Sequence, residues 1–195
     1  MDPRLPDSAF LARSLSEPVA FESIFERHFA AIHRYLHRRA GCDLADDLAA
    51  ETFVVAFERR ASCNASGSVL PWLYGIATNL LHHSWRSEQR RLRAYTRSSA
   101  VRGSELYDDA AEGAEGAVLD ARVARALMAM RPRERDALLL FALADQSYEE
   151  SALALDVPVG TVRTWLYRAR STAQRELAAE PTLAPLTTTP GDLHG

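Results

Sequence analysis

The chain has 195 residues, of which 47% are hydrophobic and 25% are charged, and its formal net charge is −3. That composition is typical of a globular protein with one or two small domains, and it excludes a uniformly basic nucleic-acid-binding protein. Two cysteines are too few for a disulfide scaffold, no spaced cysteine and histidine cluster predicts a metal site, and no apolar run approaches the roughly 20 residues of a membrane span.

The N-terminal part of the chain predicts a leader followed by helices. Residues 1–19 carry three prolines and mixed polarity, which favours a flexible leader. From Phe21 apolar residues recur at helical spacing until Gly41, and Asp43 is a candidate N-cap for the next helix. The apolar residues expected in the core of these two helices include Ile24, Phe25, Phe29, Ile32, Tyr35, Leu36, Leu44, Leu48, Phe53, Val54 and Phe57.

A loop and a third long helix follow. Residues 62–67 are loop-like by composition, and Pro71 suits the first turn of a helix that runs to about residue 97. This helix is aromatic and then basic, because six arginines and a single acid lie between Arg86 and Arg102. Aromatic rings followed by arginines favour single-stranded DNA held by stacking and charge, although core packing explains either tryptophan alone equally well. The aromatic residues are Trp72, Tyr74 and Trp85.

A second helical domain is predicted after a change of charge. Residues 103–120 hold six acids and no base, so we place a flexible acidic linker at 98–117. It either mimics nucleic acid in a basic channel or is simply solvated. Helical patterns over 118–179 then indicate the second domain, and the Pro/Thr-rich tail of residues 180–195 is expected to be disordered. The predicted fold is all-α, with two small helical bundles joined by the linker.

The second domain ends in a helix-turn-helix pattern. Ser147 and Glu150 fit a capping box for a short helix, and Pro158 opens the last one. Asp156 occupies the turn, where it tolerates a left-handed conformation better than most residues. The last helix is expected to turn Val162, Leu166 and Ala169 to the core and Arg163, Thr164, Tyr167 and Arg168 outward.

The outward face of the last helix predicts contact with duplex DNA. Arginine and threonine suit the base edges of the major groove, and arginine also neutralises phosphates. A solvated face with charge pairs along the helix is less favoured, since the first acid after Arg163 is Glu176.

Three segments in this order resemble the extracytoplasmic-function (ECF) group of sigma-70 family sigma factors: DLADDLAAETFVVAF, PWLYGIATNLLHHSWR and SYEESALALDVPVGTVRTWLYRAR. The resemblance covers about residues 20–97 and 119–178. It implies a protein without an active site that binds core RNA polymerase, directs it to a promoter and helps to open the duplex. Region 2, over residues 20–97, would bind the clamp of the largest subunit and the −10 element. Region 4, over residues 118–179, would bind the −35 element and the flap of the second-largest subunit.

The resemblance assigns roles to individual positions. Core-polymerase binding falls on Asp46, Asp47, Leu48, Glu51 and Phe53. Contact with −10 DNA falls on Ser62, Cys63, Asn64, Ala65, Trp72, Asn79, His83, Arg86 and Arg90. Contact with −35 DNA falls on Arg133, Thr161, Arg163, Thr164, Tyr167 and Arg168. The loop of residues 62–67 matches the one that captures a flipped base in the family.

The implied partners are core RNA polymerase and promoter DNA, double-stranded at −35 and single-stranded at −10. Many members of the group also bind an anti-sigma factor. We expect a cytoplasmic protein that is a monomer in isolation, inserts into no membrane, and uses no cofactor or metal.

Some positions depart from the family pattern. Ala50 stands where glutamine is common, which puts one core-binding hydrogen bond in doubt. Thr78 stands where the family usually has arginine, directly before Asn79, and we expect this change to alter contact with the −10 strand. Trp165 stands where arginine is frequent, and we expect it to weaken a contact with a DNA phosphate.

Three other interpretations stay open. A helix-turn-helix regulator that recruits no polymerase leaves the acidic and the aromatic-basic helices unexplained. A domain pair that only sequesters a protein conflicts with the intact arginine face. An enzyme would need a metal or acid/base site, for which His82 and His83 are the candidates. Adjacent residues of a helix point about 100° apart, so the two side chains cannot easily bind one ion. We expect them to be surface or groove residues. Cys42 and Cys63 are expected to be two unrelated thiols.

Overall fold

A computed structural model of the protein describes residues 5–63, 68–98 and 114–178, and its account of side chains stops at residue 90 and resumes at residue 121. Every regular element in those ranges is helical, so the predicted all-α fold is confirmed. None of the helices in the described part of the chain is both long and apolar enough to cross a membrane.

Several predictions concern parts of the chain outside the described residues. Two predicted −10 contacts, Asn64 and Ala65, are among them, as are residues 99–113 of the acidic linker and the tail from residue 179. Their predicted roles stay predictions.

The described residues contain eight α-helices and two short 3-10 turns. The helices are α1 (Asp7–Ser14), α2 (Glu22–Ala40), α3 (Cys42–Arg59), α4 (Leu70–Ser98), α5 (Ala114–Ala129), α6 (Pro132–Leu143), α7 (Tyr148–Leu155) and α8 (Val159–Ala178). The 3-10 turns are Pro18–Phe21 and Arg60–Ser62.

The N-terminal leader differs from its prediction. Residues 7–14 form helix α1, whose Phe10, Leu11 and Ser14 are buried. These three residues share one face of a helix, so burying them stabilises a segment too short to be helical alone. Pro6 does not interrupt the helix, because it occupies the N-cap. A residue at that position donates no hydrogen bond within the helix, so the missing N–H of proline costs nothing there.

The first unit consists of α1 to α4 around an apolar core. Ile24, Ile32 and Leu36 of α2 pack with Leu73 and Leu81 of α4 in this core. At the end of α2, Gly41 adopts a φ of 77°, in the region that favours glycine, and α3 begins at the next residue. Asp43 therefore lies in the first turn of α3 and is not its N-cap.

The second unit consists of α5 to α8 and contains the predicted helix-turn-helix. The Ser147 and Glu150 capping box at the start of α7 is confirmed, and Asp156 adopts the left-handed conformation that the turn requires, with a φ of 52°. Val162, Leu166 and Ala169 are buried as predicted, so the outward face of α8 is fixed by the packing of its inner one.

The two units pack directly against each other, which the sequence did not predict. Helix α4 lies against α7 so closely that a Cβ atom at Gly75 would be 2.5 Å from the carbonyl oxygen of Ala154. Apolar residues from both units, among them Leu81 and Leu140, belong to one buried cluster.

Candidate polymerase and nucleic-acid interfaces

The predicted core-polymerase residues separate into two groups on α3. Asp46, Asp47 and Glu51 are exposed and form what we name the acidic face. Leu48 and Phe53 are only 5% and 4% exposed, so the structure places them in the core beneath that face. Their contribution to a surface is therefore indirect, through the position of the acids.

Aromatic packing between α2 and α3 explains the burial of Phe53. Its ring contacts Phe25 edge-on at 5.0 Å between centroids and lies 6.0 Å from Phe29. His33 stacks on Phe29 and places its Nε2 atom 2.7 Å from the carboxylate of Asp46. One acid of the face is thus held by a neighbouring helix.

Three apolar residues expected in the core are exposed instead. Phe25, Leu44 and Val54 retain exposed fractions of 41%, 37% and 57%. The apolar stripes of α2 and α3 are wider than the available core, so part of each stripe stays at the surface beside the acidic face. Exposed apolar residues rimmed by charge are typical of a protein-binding surface. The sequence shows that these apolar stripes are wide, and that width was the signal that some of their residues would be exposed.

Four of the predicted −10 residues form one line along α4. Asn79, His83, Arg86 and Arg90 are all exposed, and their spacing of four, three and four residues places them on a single helical face, which we name the α4 stripe. Trp72, seven residues before Asn79, continues the same line but is half-buried against the core. The stripe therefore combines an amide, an imidazole and two guanidinium groups over about three turns of helix.

The other aromatic residues of α4 do not belong to this surface. Tyr74 is buried, its ring lies edge-on to Tyr35, and burial raises the pKa of its hydroxyl to about 12. Trp85 is half-buried, with the Arg39 guanidinium 5.5 Å from its ring centroid. Tyr74 thus belongs to the core, and the partial burial of Trp85 agrees with the core-packing interpretation given for the tryptophans.

Thr78, which stands where the family usually has arginine, has a structural role. Its hydroxyl is buried and lies 2.9 Å from the hydroxyl of Tyr35. A long arginine at this position would have to enter the same packed interior. The departure from the family pattern is thus linked to Tyr35.

The end of α3 and the turn that follows it carry two more predicted −10 residues. Ser62 is exposed, and its hydroxyl donates to the carbonyl of Arg59 at 2.7 Å. Cys63 is half-buried and packs against the core. Cys42 lies at the opposite end of α3, a helix of 18 residues that spans about 27 Å. The two cysteines are not joined in a disulfide and lie far apart, which agrees with two unrelated thiols.

The predicted outer face of α8 is confirmed as a surface. Arg163, Thr164, Tyr167 and Arg168 are exposed, Tyr167 to 76%, and we name these four residues the α8 face. Thr161 is half-buried at the start of the helix. Ion pairs are present after all, since Arg163 lies 3.8 Å from Glu149 and Arg168 lies 3.9 Å from Glu134. The acids belong to neighbouring helices, so a search along α8 alone could not find them.

A crevice between α4 and α7 brings residues of the two units together. Its lining includes Gly75 and Asn79 from α4, Arg133 from α6, and Asp156 from the helix-turn-helix. Arg133, predicted to contact −35 DNA, therefore lies in the same crevice as the first residue of the α4 stripe.

A buried polar cluster joins the two units next to this crevice. Arg39 donates to Asp136 at 2.8 Å and to the hydroxyl of Tyr35 at 2.6 Å, and both charged side chains are 1% exposed. Both histidines of α4 were expected at the surface or in a groove. His83 is exposed, whereas His82 is half-buried at the contact between the units, 3.0 Å from the same carboxylate. Burial opposes ionisation of Asp136, but hydrogen bonds from His82 and Arg39 outweigh it and lower the pKa.

Sequence reasoning missed this cluster because its members lie far apart in the chain. Asp136 ends the charged run of residues 133–136 at the start of α6, and a buried carboxylate requires a charged partner. Nothing in that run distinguishes the acid that the core buries from its charged neighbours.

Comparison with known proteins identifies both units. "Sigma-70 region 2" matches residues 24–91, and "Sigma-70, region 4" matches residues 120–172. RNA polymerase sigma factor YlaC of Bacillus subtilis (strain 168) is 30% identical over 156 residues, 77% of this chain and 88% of YlaC. ECF RNA polymerase sigma factor SigW of the same strain is 26% identical over 166 residues, 81% of this chain and 89% of SigW.

The fold has relatives among solved structures. CnrH, in complex with the cytosolic domain of CnrY, superposes with a TM-score of 0.63 at 22% identity, over 90% of this chain and 99% of that chain. The sigma factor RpoE of Bartonella quintana, in complex with the anti-sigma factor NepR, gives 0.60 at 22% identity, over 83% and 98%. The chain belongs to the ECF group of the sigma-70 family of RNA polymerase sigma factors.

Proposed function

We propose that this sigma factor divides its work among three surfaces: the acidic face for core RNA polymerase, the α4 stripe for the unpaired −10 strand, and the α8 face for the −35 duplex. The observation that supports this division best is the α8 face, because four exposed side chains suited to DNA lie opposite three buried ones on the second helix of a helix-turn-helix.

The α8 face is suited to duplex DNA by its chemistry. An arginine can donate two hydrogen bonds to one guanine, and threonine and tyrosine can bond to base edges or phosphates. The ion pairs to Glu149 and Glu134 are long, and the arginines in them remain more than half exposed. A pair between two exposed groups, such as Arg163 and Glu149, contributes at most about 1 kcal/mol, so a phosphate can replace that acid. Glu134 is buried, so the bound does not apply to its pair with Arg168.

The α4 stripe is suited to a single strand. Its two arginines offer charge to the phosphate backbone, and Asn79 and His83 can bond to the edges of unpaired bases. Ser62 and Cys63, at the start of the loop that matches the base-capturing loop of the family, would contact the flipped base. Such a base has to be unstacked at a cost of a few kcal/mol, which the contacts in its pocket must offset.

The acidic face is suited to a basic protein surface. The three acids would supply charge complementarity, and the exposed Phe25 and Val54 beside them would supply apolar contact. An anti-sigma factor is a further partner that we propose, since the relatives CnrH and RpoE were solved with protein partners bound. The protein would act in the cytoplasm, as a monomer before it joins polymerase, without catalysis of its own, cofactor or metal.

The proposal is tested by transcription in vitro with purified core RNA polymerase on a pool of genomic promoter fragments, with and without this protein. New transcripts that start at defined sites are expected, and their upstream sequences would give both promoter elements. Binding to duplex fragments without any transcript would instead favour the helix-turn-helix regulator that recruits no polymerase. Loss of both activities would favour the sequestering interpretation.

A further inference from the structure

The two arginines of the α8 face pair with acids in very different surroundings. Arg163 lies 3.8 Å from Glu149, whose side chain is 66% exposed. Nη1 of Arg168 lies 3.9 Å from the carboxylate of Glu134, whose side chain is only 8% exposed, although the arginine itself is 54% exposed. Water and salt screen the first pair, whereas burial of the carboxylate shields the second pair from that screening. Glu134 therefore attracts its arginine more strongly than Glu149 does.

The packing of α6 on α8 fixes the position of the Glu134 carboxylate. Glu134 lies one turn before Ala137 on the same face of α6, and Ala137 belongs to the buried cluster that also contains Val162 and Leu166 of α8. Glu134 also lies in the first turn of α6, where the helix dipole favours an ionised carboxylate. A negative charge is thus held in place next to Arg168.

The other arginines near the start of α6 do not take the place of Arg168. Arg135 turns to α5, where its Nη1 donates to the carbonyl of Leu127 at 3.5 Å. Arg133 is exposed and lines the crevice between α4 and α7. Among the residues that the structure describes, Arg168 is the cation that lies within 4 Å of the Glu134 carboxylate. A buried carboxylate requires a charged partner, so Arg168 is drawn toward Glu134.

The geometry of this pair leaves one edge of the Arg168 guanidinium open to a base. The atom that faces Glu134 is Nη1. Nε and Nη2 carry two parallel N–H groups on another edge, and two such donors match the O6 and N7 acceptors of a guanine in the major groove. Arg168 can therefore keep its acid while it contacts a base, with its planar group already oriented for that contact.

We propose that Glu134 is a positioning residue for recognition of the −35 element, because it holds the Arg168 guanidinium in the orientation that binds a base edge. The inference rests on the proposed −35 function of the α8 face. A long exposed side chain loses rotamer freedom when it binds, and orienting it beforehand reduces that loss. Only the base that Arg168 contacts benefits, so Glu134 should affect discrimination at one position of the −35 element.

The experiment measures discrimination at every position of the −35 element. A duplex promoter recovered from the genomic pool and its single-base variants across that element compete for holoenzyme assembled from core polymerase and the full chain. Arg168→Ala first identifies the position that Arg168 contacts. The test variant is Glu134→Gln, which keeps the shape of the side chain but not its charge, and Glu149→Gln is the matched control from the exposed pair. Thermal unfolding of each variant is checked, and Glu134→Asp, which withdraws the carboxylate from Arg168, is the substitute if Glu134→Gln unfolds.

We expect Glu134→Gln to lose about fivefold in discrimination at the position that Arg168 contacts and to match wild type at the others, while Glu149→Gln matches wild type at that position. In the Arg168→Ala background, Glu134→Gln should cause no further loss, because the arginine that it orients is gone.

Equal losses at every position would overturn the inference, because Glu134 would then only support the fold. Unchanged discrimination, or the same loss in Glu149→Gln, would overturn it as well. If Arg168→Ala itself changes discrimination at no position, the proposed −35 role of Arg168 fails, and the inference fails with it. A loss in Arg168→Ala without one in Glu134→Gln would leave that role intact and overturn the inference alone.

Discussion

Exposure distinguishes residues that share a motif but not a role. In the α3 motif, Asp46 and Asp47 reach solvent, whereas Leu48 and Phe53 lie in the core. A family motif therefore combines residues that contact a partner with residues that hold the helix in place. Substitution of an exposed member tests the contact, and substitution of a buried member tests the fold.

Arg168→Ala is expected to reduce promoter-specific transcription about tenfold or more, because one arginine contact with a base contributes about 1–3 kcal/mol. Binding to core polymerase should remain within about twofold, since the acidic face is untouched. Run-off transcription and co-elution with core polymerase measure the two effects. Arg175→Ala, which removes another exposed arginine of α8, is the control. An equal loss of both activities in Arg168→Ala would contradict the division between the units.

Asp47→Arg is expected to weaken binding to core polymerase about tenfold, because it places a positive charge against the basic surface that the acidic face would meet. The loss should shrink as salt concentration rises. Titration of core polymerase with labelled protein measures the affinity. Glu22→Arg makes the same charge change at the exposed start of α2 and should bind normally. If both variants bind equally well, the acidic face is not the contact surface.

The elements that the sequence predicted well are those whose local signals agree with their packing. Helices α7 and α8 are predicted by the Ser147 capping box and by the spacing of Val162 and Leu166. The cap, the turn and the apolar face all indicate the same two helices. Helix α1 was missed because its stability comes from burying Phe10 on the first unit, which no local pattern reveals. The surface position of Phe25 was missed because a wide apolar stripe does not show where the core ends.

The junction of α2, α4 and α6 depends on the pair of Arg39 and Asp136. Asp136→Ala leaves the Arg39 charge buried without its carboxylate, so we expect the free energy of unfolding to fall by about 3–5 kcal/mol. The double variant Arg39→Met, Asp136→Leu should recover most of that loss, because it removes both charges together. Urea denaturation at neutral pH measures all three proteins. A double variant no more stable than Asp136→Ala would contradict the expected cost of burying the Arg39 charge without the Asp136 carboxylate.

The same junction predicts a dependence on acid. Since the folded pKa of Asp136 is lowered from the ordinary value of 3.8, its ionised form stabilises the fold. That contribution is complete above the ordinary pKa and is lost as the pH falls through the lower folded value. Below about pH 4, the unfolding free energy of the wild type should therefore fall more steeply than that of Asp136→Asn. Parallel curves from urea denaturation at several pH values would contradict this.

At the scale of the whole molecule, the packing of the two units conflicts with the proposed use of α4. A strand that follows α4 from Trp72 to Asn79 passes Gly75, where the backbone of α7 lies in contact. Asn79 itself opens into the crevice that Arg133 and Asp156 also line. For a strand to follow this line, α7 has to leave its place on α4. If α4 binds the −10 strand as we propose, the packed arrangement and the bound arrangement would be two different states of the molecule.

Gly75→Ala should shift the balance between these two states. Alanine favours a helix interior over glycine by up to about 1 kcal/mol, so α4 itself should gain stability. The new Cβ atom would nevertheless meet the Ala154 carbonyl oxygen at 2.5 Å, and backbone cannot yield as the end of a side chain can. We expect the units to separate, with a larger radius of gyration in small-angle X-ray scattering and more transcription when core polymerase is limiting.

Gly160→Ala is the matched control for this separation, because it makes the same change within a helix at a position with nothing within 4 Å of the added atom. It should leave the radius of gyration unchanged. A larger radius in Gly75→Ala alone would assign the change to the contact between α4 and α7, since helix propensity alone would affect both variants alike. Equal radii in the two variants would mean that the free protein does not keep α7 on α4, and the line from Trp72 to Asn79 would then be open to a strand without any separation of the units.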